Sequence, residues 1–144
     1  SEAYNINAKA YIEQLQSLDS QFKTGLSVCR LKDIVTSHAA FGYMAKRYGL
    51  RQTSIAGLSP DAEPSAQQLA QIVQLIKRND IKYIFFETLI SPKLAQTIAT
   101  EAGAQAIALN PLEGLTKSEV QSGKTYVTVM QDNLSALRTA LECK

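Results

Sequence analysis

A chain of 144 residues with 45% hydrophobic and 19% charged residues has the size of one folded domain with a modest core, which excludes a disordered or fibrous segment. The net charge is +2, and its Lys and Arg are scattered among Asp and Glu instead of forming a stripe. That pattern speaks against nucleic acid or an anionic membrane surface as a partner. The longest apolar runs, such as Tyr83-Ile84-Phe85-Phe86, fall far short of a membrane span, and the polar start Ser1-Glu2-Ala3 has no signal-peptide pattern. The expectation is a soluble chain without direct membrane insertion.

Tyr11, Ile12, Leu15, Leu18 and Phe22 recur at three- and four-residue spacing, so residues 4–24 are predicted to form an amphipathic helix about 30 Å long that stops at Gly25. Residues 33–36 read as a short buried strand, and residues 39–48 as a helix with Phe41, Met44, Ala45 and Tyr48 on one face and Gly49 as its left-handed terminator. A second strand is predicted at 52–58, followed by a loop at 59–64, where Pro60 and Pro64 forbid regular pairing. Ser65 and Gln68 have capping-box spacing ahead of a helix that buries Leu69, Ile72, Val73 and Ile76. Residues 82–86 form a third strand, nearly all apolar as for one covered on both faces, with Glu87 ending the run. Ser91 as N-cap and Pro92 at the first helical position open a helix through Leu94, Ile98 and Ala99 to Gly103. Residues 106–109 make a fourth strand, and Met130, Leu134, Leu137 and Leu141 mark the last helix. Strands alternating with helices imply right-handed crossovers, hence a three-layer α/β domain with a four-stranded, mainly parallel sheet behind a long leading helix.

The two cysteines allow two readings. If Cys29 and Cys143 lie on the same edge of the sheet, a bridge would tie the last helix to the first strand and stabilise the fold by about 4 to 5 kcal/mol. Otherwise they are unrelated buried thiols.

In a parallel sheet every strand ends on one edge, so His38, Ser59, Glu87 and the segment Asn110-Pro111-Leu112-Glu113-Gly114 are expected to gather around one crevice. His38, the single histidine, stands at the turn from the first strand to its helix. An imidazole with carboxylates suits a borderline divalent cation, above all zinc, which takes nitrogen and oxygen donors at about 2.0–2.2 Å. The plainer readings are a packed imidazole, a Glu87 that is solvated or only orients the ring, and a Glu113 that is a surface acid. Zinc prefers four ligands, and one histidine with two nearby acids falls short, so a tight site needs another domain. The long leading helix with no strand before it suits the second half of a two-lobed protein. No G-x-G-x-x-G, P-loop or G-x-S-x-G motif is present, which leaves nucleotide binding and serine-nucleophile chemistry without support. A small α/β enzyme would have to use His38 as general base oriented by Glu87.

The segments Thr36-Ser37-His38-Ala39-Ala40-Phe41-Gly42-Tyr43, Ile55-Ala56-Gly57-Leu58-Ser59-Pro60, Phe85-Phe86-Glu87, Ser91-Pro92-Lys93-Leu94-Ala95 and Leu109-Asn110-Pro111-Leu112-Glu113-Gly114-Leu115 occur in that order. Together they resemble the C-terminal lobe of the ZnuA-type, TroA-like zinc-binding proteins of bacterial ABC transporters. The resemblance implies a solute-binding protein that captures zinc outside the cytoplasmic membrane and delivers it to an ABC permease without catalysis. It implies that residues 1–26 are the helix linking two lobes and residues 27–144 the C-terminal metal-binding lobe. The N-terminal lobe of the same protein would then complete the site. His38 matches the histidine this lobe supplies, and since manganese-type relatives tend to carry glutamate there, zinc is favoured over manganese. Many relatives have aspartate where this chain has Asn110, a departure that makes Glu113 the better candidate for the last ligand. A periplasmic or otherwise extracytoplasmic setting is oxidising and favours a Cys29–Cys143 bridge.

Overall fold

The computed structural model describes residues 2–59 and 62–144. Along the chain lie α1 (Glu2–Gly25), β1 (Asp33–Thr36), α2 (Gly42–Tyr48), β2 (Arg51–Ser54), α3 (Ala66–Arg78), β3 (Tyr83–Phe86), α4 (Lys93–Ala102), β4 (Gln105–Ala108), α5 (Lys117–Gln121) and α6 (Tyr126–Ala140). The strands form one parallel sheet in the order β2-β1-β3-β4.

Successive strand residues face opposite sides of a sheet, and β1 and β3 display this alternation. Ile34 and Phe85 pack with Leu18 and Phe22 of α1, Ala45 of α2 and Leu137 of α6, while Val35 and Ile84 pack with Ile72 and Ile76 of α3 and Ile98 of α4. Burying each such side chain stabilises the fold by about 1.5–3 kcal/mol, which drives both helical layers onto the sheet. Helix α3 opens with the expected capping box, Ser65 Oγ accepting from Gln68 N and Gln68 Oε1 from Ser65 N. Helices α2 and α4 end at Gly49 (φ 69°) and Gly103 (φ 75°), in the left-handed conformation that glycine adopts without strain.

From β1 the chain moves outward to β2, then crosses back past β1 to β3 and on to β4. The order therefore reverses between β1 and β3, where an open α/β sheet leaves a crevice beyond its carboxyl ends. Cys29 and Cys143 are joined in a disulfide at the other end of the sheet. Around it Leu31 N donates to Leu141 O at 3.1 Å and Lys144 N to Val28 O at 3.0 Å. Arg30 makes a bidentate pair with Glu142 at 2.5 and 2.6 Å.

Several expectations need correction. The helix expected from residue 39 begins at Gly42, because residues 37–41 form a turn fastened to neighbouring strands. The second strand stops at Ser54; Ile55 and Ala56 still donate to Thr36 and Ser37 carbonyls before Gly57, at φ 70°, turns the chain. Pro92, not Ser91, is the N-cap of α4, although Ser91 Oγ still accepts from Lys93 N at 3.5 Å. Within the expected loop at 59–64, Pro60 and Asp61 lie outside the described residues. Tyr11 and Ile12 of α1 are exposed; only the last turns of the helix reach the core, through Leu18 and Phe22. Helix α5 was not anticipated, although Thr116 and Glu119 form a capping box visible as Thr-x-x-Glu.

Candidate metal centre

His38 and Glu87 follow β1 and β3, the two strands on either side of the order reversal, and the fold brings both into the crevice. His38 is 5% exposed and Glu87 2%. The imidazole Nδ1–H donates to Glu87 Oε1 at 2.6 Å, and the same oxygen accepts from His38 N at 3.4 Å. This fixes the tautomer: with the proton on Nδ1, the lone pair lies on Nε2. Burial pushes the Glu87 carboxyl up from its ordinary value, opposed by the imidazole, while the Glu113 charge adds to the rise. Glu87 Oε2 is buried with no hydrogen-bond partner among the described residues, which is consistent with that desolvation.

Nε2 faces Glu113, whose Oε1 is 3.8 Å away and whose side chain is 61% exposed. Its loop is anchored by buried polar groups. Asn133 of α6 accepts from Asn110 N at 2.9 Å and donates to Asn110 O at 2.7 Å. Asn110 Oδ1 accepts from Leu112 N at 2.8 Å, and Asn110 Nδ2 donates to Glu119 at 3.2 Å. The Asn110 side chain is thus engaged within its own loop, and Glu113 is the residue presented to His38. Immediately before it, Leu112 adopts φ 63°, a conformation that costs a non-glycine residue about 1 kcal/mol or more. Glu113's neighbour Gly114 lies against Leu89 of the β3–α4 loop; a Cβ there would come within 3.1 Å of Leu89 Cδ1.

Ser59 departs from expectation. It is exposed, its carbonyl accepts from Ala62 N at 3.2 Å, and it makes no bond to His38, Glu87 or Glu113 among the described residues. Thr36 and Gln52, which periodicity assigns only to strands, both bond to the His38 carbonyl. A polar residue in a short strand otherwise destined for burial was the signal available for Thr36. Three or more His, Cys, Asp or Glu side chains do not cluster in metal-binding geometry anywhere among the described residues. Among the described residues the crevice offers one imidazole nitrogen and one exposed carboxylate.

A parallel α/β sheet with an imidazole and a carboxylate facing each other at its switch-point crevice has the layout of a ligand-binding domain. The family model described as "Zinc-uptake complex component A periplasmic" matches residues 1–140, and the chain belongs to that family. Zinc-binding lipoprotein AdcA of Streptococcus pneumoniae is 51% identical over 137 residues, which make up 95% of this chain and 27% of AdcA. High-affinity zinc uptake system protein ZnuA of Bacillus subtilis is 47% identical over 143 residues, 99% of this chain and 45% of that protein. Among solved structures, the Zn(II)-bound ZnuA-like domain of S. pneumoniae AdcA matches with a TM-score of 0.82 at 50% identity, covering 98% of this chain and 53% of the other. The chain thus spans from about a quarter to under half the length of these curated relatives. The family is one of extracytoplasmic uptake components and not of enzymes, so the general-base reading of His38 falls away. The disulfide agrees with an oxidising location. No helix among the described residues is long and apolar enough to cross a membrane.

Proposed function

We propose that this chain is the C-terminal lobe of an extracytoplasmic zinc-capture protein serving an ABC importer, and that it supplies half of the zinc site. His38 Nε2 and the Glu113 carboxylate are the two donors, and Glu87 orients the imidazole. The observation that carries this reading is the division of labour on one ring: Nδ1 is bound to a buried carboxylate, and Nε2 is left facing a second one at 3.8 Å. Two zinc ligands at about 2.0–2.1 Å and a tetrahedral angle stand about 3.3 Å apart. A small rotation of the exposed Glu113 side chain closes that difference. An imidazole donor favours zinc over manganese, which is better matched by oxygen alone.

Residues 1–26, which contain α1, are the segment linking the lobes, and residues 27–144 the C-terminal lobe. Supporting this division, Tyr4, Ile6, Tyr11 and Ile12 on the first half of α1 are exposed, beyond the reach of the lobe's own core. Around the carboxyl edge Tyr43, Leu58 and Leu89 are exposed as well, an apolar rim suited to contact with an N-terminal lobe bearing the remaining ligands. A membrane permease then receives the metal.

Two protein donors plus water cannot match a closed four-ligand sphere, so the chain alone binds zinc weakly. Calorimetric titration of the wild type and His38→Ala, with oligomeric state recorded, tests this. Weak binding lost in the variant supports the reading. Nanomolar one-to-one binding by a monomer, or binding indifferent to His38→Ala, overturns it.

A further inference from the structure

We propose that Gln52, on the strand beside β1, is a positioning residue for zinc that holds the backbone from which His38 projects. The inference rests on the reading of His38 Nε2 as a zinc donor. His38 lies in the 37–41 turn, outside any helix or strand, so regular structure does not orient its peptide planes. Its carbonyl instead accepts from two side chains, Thr36 Oγ1 at 2.7 Å and Gln52 Nε2 at 3.1 Å.

The same Gln52 amide nitrogen donates to Thr36 Oγ1 at 2.8 Å. Three polar groups thereby close a triangle, and each bond constrains the others. Thr36 is fully buried, and its hydroxyl uses its single proton on the His38 carbonyl. Gln52 is the donor that satisfies the hydroxyl's accepting side. Without the amide, the hydroxyl loses its donor and the carbonyl loses one of two.

Gln52 stands in register with Ile34, two residues behind Thr36, so its side chain reaches forward along the sheet to the turn. From the opposite flank, Glu87 after β3 holds the ring at Nδ1. His38 is thus gripped from both strands adjacent to β1, by its backbone on one side and its ring on the other. A metal donor must be held within about 0.5 Å and 10–20° of its productive geometry, and a tilt of the His38 peptide moves Nε2 at the far end of the ring. Loss of such supporting bonds typically weakens metal binding about 10-fold to 100-fold.

The test compares zinc titrations of wild type, Gln52→Met, Gln52→Ala, Arg51→Ala and His38→Ala. Methionine keeps the length and apolar stem of Gln52 and removes only the amide. Arg51→Ala breaks the neighbouring Arg51–Asp33 pair on the same two strands, without touching the triangle. Since His38 is the single histidine, imidazole nitrogen NMR signals report on it alone. The expected result is at least a roughly ten-fold loss of zinc affinity in Gln52→Met and Gln52→Ala, with shifted or broadened His38 nitrogen signals, and wild-type affinity in Arg51→Ala. Gln52→Met binding zinc within about two-fold of wild type with unchanged ring signals, while His38→Ala loses binding, overturns the role of Gln52 alone. An equal loss in Arg51→Ala also overturns it, because the effect then belongs to the stability of β2. Undiminished binding by His38→Ala overturns the zinc reading beneath it.

Discussion

The two ends of the sheet are built from different chemistry. At the amino end, before β1, a disulfide is flanked by backbone bonds from Leu31 to Leu141 and from Lys144 to Val28 and by the bidentate Arg30–Glu142 pair. At the carboxyl end, short turns are fastened by buried side-chain groups: Thr36 and Gln52 on the His38 carbonyl, Glu87 on its ring, and Asn133 on Asn110. The first arrangement restricts the unfolded chain. The second holds a few polar atoms in defined directions and leaves Nε2 and the Glu113 carboxylate available. Stability should therefore depend most on the amino end, and zinc capture on the carboxyl end.

The largest separation comes at the amino end. Replacing both Cys29 and Cys143 by Ser opens a cross-link with a sequence separation of 114 residues. In the chain-entropy account such a bridge contributes about 4 to 5 kcal/mol, so urea denaturation should show a loss of that order while the folded fraction keeps its zinc affinity. A matching loss of affinity would break the comparison. At the carboxyl end, Asn133→Ala strands the Asn110 N–H and C=O in a buried site and should cost about 2 to 3 kcal/mol by the same assay. It should also weaken zinc binding, since it frees the base of the Glu113 loop.

Glu87→Gln sharpens the contrast further. The amide oxygen can still accept from Nδ1–H, but the charge behind the imidazole is gone, and zinc affinity should fall about ten-fold, equivalent to about 1.4 kcal/mol. Denaturation should show no matching loss, because a buried carboxylate with an unpartnered oxygen is removed. The smallest effect is expected at Asp19 of α1. Hydrogen bonds from Arg47 foremost, then Lys23 and Tyr48, hold its carboxyl well below the usual carboxylate range. A folded-state value below the unfolded one favours the native state above about pH 4 and loses that contribution as the pH falls further. The stability gap between wild type and Asp19→Asn should thus be constant near neutrality and shrink in acid, as read by denaturation at a series of pH values.

Much of this organisation is legible in the sequence. Alternating apolar runs gave the strands and their two-sided burial, and a lone histidine at a strand-to-helix turn pointed to the crevice. Glu87 was visible because it interrupts an apolar run at the point where the third strand ends. Glu113 was less so: nothing in its loop distinguishes it from a surface acid, and only the family resemblance singled it out. Gln52 was not visible at all, because its role depends on strand register, which places it beside β1 and within reach of a carbonyl four positions beyond its partner Ile34. The apolar rhythm of α1 predicted burial for Tyr11 and Ile12 that the lobe does not provide, since periodicity reports an amphipathic face and not what covers it.

X-ray absorption fine structure of the zinc-loaded chain, recorded beside His38→Ala, tests most directly whether the carboxyl end is a half site. The account predicts one imidazole per zinc with the remaining donors oxygen at about 2.0–2.2 Å, and loss of bound zinc in the variant. An oxygen-only sphere that survives His38→Ala would contradict it.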